Sequence, residues 1–134
     1  MSEYGATQYT SFLLKGFSMW FVYLGATNIL QGAKSVLQPS ERVVLPSQAL
    51  SLLDSQLRFL GGIFVGYGAV TWWASDDIPA REAPLTWIMA TLVLSGIGRV
   101  ISATTFGWGP SWTQRATVTE VVVPILVYLF GIRQ

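Results

Sequence analysis

The chain predicts an all-α fold: an integral membrane four-helix bundle running up-down-up-down. Three observations predict it. Of 134 residues, 51% are apolar and only 11% charged, against about 25% charged in a soluble domain. The mean hydropathy is +0.49. Four apolar stretches are each about as long as the roughly 20 residues a spanning helix needs. The expected spans are about 11–33, 49–74, 83–103 and 116–132, in a single domain covering 1–134.

Each span has its own signature. Ser11 to Ala33 is interrupted by Lys15, whose stem is long enough to carry its charge outward. Ala49 to Ala74 ends in Trp72 and Trp73. Ala83 to Ala103 opens with Pro84, a residue suited to the first turn of a helix. Ala116 to Ile132 carries Pro124, which predicts a kink or a freed carbonyl. The connections read as polar: Lys34 to Gln48 with Pro39 and Pro46, Ser75 to Glu82 with Asp76, Asp77 and Pro79, and Thr104 to Arg115 around Gly107-Trp108-Gly109-Pro110. Trp72, Trp73, Trp87, Trp108 and Trp112 fall near span ends, where an aromatic belt belongs. Lys15, Arg81 and Arg133 on one face balance Lys34, Arg42 and Arg115 on the other, so the orientation is left open. The N-terminal run lacks a small-residue cleavage signature and is expected to stay on the chain.

Composition also excludes chemistry. There is no cysteine and no histidine, which removes thiol nucleophiles, disulfides, imidazole catalysis and Cys/His metal sites. No metal and no cofactor is expected. A net charge of +1 gives no basis for a nucleic-acid partner.

Four ionisable residues lie inside the spans: Asp54, Arg58, Arg99 and Glu120. Charge in hydrocarbon is costly, so such residues mark candidate functional sites and require partners. Followed through the bundle, all four fall toward one end, with Thr27, Asn28 and Gln31 of the first span. Asp54 and Arg58 share a helix face at a spacing of four. An inward-facing arrangement gives a carboxylate–guanidinium cluster, since an Arg fork can bridge two carboxylates. The plainer reading is two neutralising pairs, Asp54–Arg58 and Arg99–Glu120, that pin helix register. In Gly61-Gly62-Ile63-Phe64-Val65-Gly66-Tyr67-Gly68, small residues let helix backbones approach. That spacing serves packing inside the bundle or a homo-oligomer, and it is not a phosphate loop.

Arg58 with Gly62 and Gly66, Gly98-Arg99 ending the third span, the Gly107/Pro110 turn and Glu120 opening the fourth resemble a family of small four-helix membrane proteins of largely unknown function. Within that group the chain is also similar, less closely, to small membrane hydrolases of fungal polyene–pyrone polyketide pathways, which are implicated in opening epoxides and building cyclic ethers. That resemblance implies a cofactor-independent membrane enzyme. Asp54 and Glu120 would act as acid and base, with Arg58 and Arg99 setting their charge. Asn28, Gln31, Tyr23 and Tyr67 would line the site of a hydrophobic, polyketide- or lipid-like epoxide entering from the bilayer. The alternative is a non-catalytic membrane assembly subunit or lipid-binding module in which the ion pairs are structural.

Overall fold

The computed structural model describes residues 3–133, with side chains from residue 7 onward. Every regular element among them is helical: α1 (Glu3–Gln31), α2 (Pro39–Val44), α3 (Ser47–Ser75), α4 (Glu82–Phe106) and α5 (Ser111–Val127). A 3-10 turn at Gly32–Ser35 follows α1, and a π turn at Tyr128–Ile132 follows α5. Two of these stretches, Glu82–Phe106 and Ser111–Ile132, are long and apolar enough to cross a membrane. The other two long helices have 29 residues each. Thr7, Gln8, Thr10, Ser11 and Lys15 dilute α1, and Asp54, Ser55, Gln56 and Arg58 dilute α3.

The chain divides into two compact parts, Leu14–Trp72 and the remainder. In Leu14–Trp72, α1 and α3 form an antiparallel hairpin. A Cβ on Gly25 would meet the Gly61 carbonyl at 2.6 Å, and one on Gly61 would meet the Gly25 carbonyl at 2.7 Å. The two backbones therefore touch where both helices lack side chains. Farther along the seam the Ser18 hydroxyl donates to the Gly68 carbonyl at 2.6 Å. Phe21, almost fully buried, stacks on Phe64 and meets the edge of the Tyr67 ring.

The glycine run of α3 thus serves two faces. Gly61 and Gly68 face α1, while nothing lies within 4 Å of a Cβ placed on Gly62 or Gly66. Gly61→Ala is expected to cost about 1–3 kcal/mol through overpacking against backbone. Gly62→Ala should be neutral or stabilising by up to about 1 kcal/mol through helix propensity. Detergent-unfolding midpoints of the two variants check this contrast.

In the other part, α4 and α5 pack against each other, and the π turn packs on both. Their connection is only Gly107 to Pro110, shorter than the expected Thr104–Arg115, because α4 continues to Phe106 and α5 begins at Ser111. Gly107, at φ 81°, ends α4 with its N–H on the Ala103 carbonyl at 2.9 Å. Gly96 lets α5 approach closely, since a Cβ there would run into Val121. Pro124 lies within α5 and is followed by the π turn, where the Arg133 N–H reaches the Tyr128 carbonyl at 2.9 Å. Proline cannot donate to the carbonyl four residues back, so the Glu120 carbonyl lacks that helical partner.

Among the described residues, fully buried large side chains are few, Leu14 and Leu85 among them, while aromatic and aliphatic side chains such as Phe12, Trp87 and Phe130 are mostly exposed. Apolar exposure on this scale marks a lipid- or partner-facing surface.

Candidate functional site

The ionisable residues form two centres, one in each compact part. The first lies where α1 stops. The expected span ran to Ala33, but the helix ends at Gln31 because Gly32 turns to φ +53°. A helix leaves its last carbonyls and the turn beyond it without internal partners. Here α3 supplies them. Asp54 Oδ1 accepts the Ala33 N–H at 2.8 Å, and Asp54 Oδ2 accepts from Arg58 Nε at 2.7 Å. The Arg58 guanidinium also donates to the Ile29 carbonyl at 2.5 Å. The i,i+4 spacing puts acid and base side by side on α3, and together they cap α1. A cation at a helix C-terminus also complements the helix dipole.

Around this cap, Asn28 Oδ1 accepts a 3.2 Å bond from the Ser35 hydroxyl, which also reaches the Gly32 carbonyl at 2.7 Å. Asn28 is therefore engaged in the turn, while Gln31 is exposed. Tyr23 is exposed and stacks on Trp20 at 5.6 Å. Tyr67 packs in the α1/α3 seam against Phe21.

The second centre is Arg99 of α4 with Glu120 of α5. The contact is a two-bond fork: Nε to Oε2 at 2.7 Å and Nη2 to Oε1 at 3.0 Å. Glu120 is the more enclosed partner, its side chain 19% exposed against 37% for Arg99. The guanidinium also lies over the Trp112 ring, 5.8 Å from its centroid. Planarity suits Arg to this combination of fork and stack. Three hydroxyls sharing these helix faces are spent locally. Ser95 donates to the Thr91 carbonyl at 3.0 Å, Thr117 to that of Thr113 at 2.8 Å, and Thr113 to that of Pro110 at 2.7 Å.

Both arginines therefore have carboxylate partners, and each carboxylate oxygen of Asp54 and Glu120 already accepts a hydrogen bond. Sequence reasoning missed Arg81, read as part of a solvated connection. Its guanidinium donates to the Trp73 carbonyl near the end of α3 and lies 4.3 Å from the centroid of the Trp73 ring. The signal was present: a cation a few residues beyond a helix end has carbonyls within reach.

No curated protein and no solved structure matches the chain. A family model does, across residues 9–130, and its description is a domain of unknown function, DUF4345. That match takes in both ion pairs, the glycine run of α3 and the Gly107–Pro110 turn, and the chain belongs to the DUF4345 family.

Proposed function

We propose that this protein is a small multi-pass membrane module, with four spans and both termini on one face, whose intramembrane ion pairs are structural. The observation that carries this is the occupancy of the carboxylates: both oxygens of Asp54 and both of Glu120 accept from an Arg or a backbone N–H. Satisfied pairs let guanidinium groups sit within apolar helices, where a lone charge is costly. They join α1 to α3 and α4 to α5 at fixed register. The module acts through lipid-embedded surfaces, as an assembly subunit or lipid binder.

One observation favours a second reading, epoxide opening on a hydrophobic substrate. The Arg99–Glu120 fork is partly exposed beside an aromatic ring, and a carboxylate held by Arg still has lone pairs to spare. Glu120 would take the proton from water or a substrate hydroxyl as it attacks the epoxide carbon. The C–O bond breaks, and a donor such as Arg99 would bind the departing alkoxide until Glu120 returns the proton to it. Asp54 is the poorer candidate because its oxygens cap α1.

Incubating the purified protein with hydrophobic epoxides separates the readings. The structural reading expects no opening above the rate of protein-free micelles. Turnover that falls by about 10²-fold or more in folded Glu120→Gln would overturn it and establish the enzyme.

A further inference from the structure

The segment between α1 and α3 reads from sequence as a plain polar connection, yet it contains a defined helix. Pro39 opens α2 at its first turn, and Glu41 reaches back to the Gln38 N–H at 2.7 Å. Both are helix-start devices. Leu45, the residue before Pro46, ends it in extended backbone. This short helix presents two adjacent valines, Val43 at 85% and Val44 at 83% exposure. Beside them stands Arg42, whose Nε is enclosed with no acceptor among the described residues. Glu41 accepts the Gln38 N–H at the helix start, and Lys34 upstream acts electrostatically on Asp54 of α3. The segment therefore offers two apolar tips beside the Arg42 cation.

We infer that α2 is an interfacial anchor: Val43 and Val44 enter the boundary between headgroups and acyl chains, while Arg42 holds a phospholipid phosphate. This rests on the reading of α1 and α3 as spans. Val44 precedes the first residue of α3 by three positions, so it lies within about 10 Å of that helix end. Headgroup layers are only about 5–8 Å deep on each side of the hydrocarbon. A helix tethered this closely to a span end cannot leave the interfacial zone by far. Exposed valines there gain by burial, and the Arg42 cation gains by meeting anionic lipid.

Because the chain has no cysteine, single labels report cleanly. Val43→Cys, Ser40→Cys and Phe59→Cys are each labelled with an environment-sensitive fluorophore in the full-length protein. They are reconstituted in phosphatidylcholine vesicles with and without phosphatidylglycerol. At residue 43 the inference expects blue-shifted emission, quenching by headgroup-proximal nitroxide lipid, and weaker iodide quenching than at residue 40. Anionic lipid should enhance the nitroxide quenching, and Arg42→Gln should remove the enhancement. Iodide quenching at 43 equal to that at 40, with no nitroxide effect, would overturn the inference. Phe59, exposed midway along α3, identifies which idea has failed. If its label is shielded from iodide, only the anchor fails; if iodide reaches it, the spanning reading fails and takes the anchor with it. A disulfide-linked Val43→Cys dimer that persists on dilution into excess lipid would also overturn the inference, by making a second copy the occupant.

Discussion

Glu120→Ala is expected to destabilise the folded protein by about 1–3 kcal/mol, the cost of leaving a part-buried guanidinium without its hydrogen-bonded partner. Both fork bonds from Arg99 end on Glu120, at 2.7 and 3.0 Å. Removing the carboxylate leaves the guanidinium with the Trp112 ring as its partner among the described residues. On the proposed spanning reading, the part of the pair not covered by protein meets acyl chains, and water cannot take over the lost bonds. The loss should appear as a lower midpoint in detergent-driven unfolding followed by tryptophan emission, and as reduced recovery of folded protein. Alanine at Thr119, an exposed neighbour on α5 whose hydroxyl donates to the Arg115 carbonyl at 2.9 Å, should have little effect, setting the baseline for substitution in that helix.

The second large effect is expected at Gly32→Val. Two costs coincide there. The residue sits at φ +53°, which L side chains rarely adopt, and that conformation costs about 1–2 kcal/mol. In addition, a Cβ would fall onto Asp54 Oδ1, the atom that accepts the Ala33 N–H. Displacing the carboxylate strands that N–H, and an unsatisfied buried donor costs about 1–3 kcal/mol. The expected total is on the order of 2–5 kcal/mol. Gly16→Val is the control, because nothing lies within 4 Å of a Cβ there. It should change stability by no more than the small helix-propensity difference. Equal unfolding midpoints for the two valine variants would contradict the account of the α1 cap.

The helices were legible because long apolar runs and proline and glycine punctuation are local signals. Pro84 stands in the first turn of α4, and Gly107 ends that helix as the turn-rich stretch predicted. The ends were less legible where helix and apolar run differ in length. α1 begins at Glu3 rather than near Ser11, since polar Thr7, Gln8 and Thr10 prolong the helix but not the apolar stretch. Both ion pairs followed from charge and spacing, because a guanidinium in an apolar helix demands a carboxylate. What spacing could not give was the third partner. The Asp54–Arg58 pair is completed by backbone groups at Ala33 and Ile29, exposed only because Gly32 breaks the helix. Gln31-Gly32 was a readable helix-end signal, and Pro39 with Glu41 a readable start for α2. Both were absorbed into a long apolar run and a polar connection. Chemistry was the least legible layer, since a carboxylate–arginine pair has the same composition whether it latches helices or transfers protons.

The central claim is that these pairs are structural, and the coupling between Arg99 and Glu120 tests it most directly. Unfolding free energies of Glu120→Leu, Arg99→Met and the double variant complete a double-mutant cycle. The account predicts two destabilised single variants and a double variant restored to near the parent stability, because an apolar pair of similar size replaces the part-buried ion pair at little cost. Additive losses, with the double variant as unstable as the sum of the singles, would contradict it.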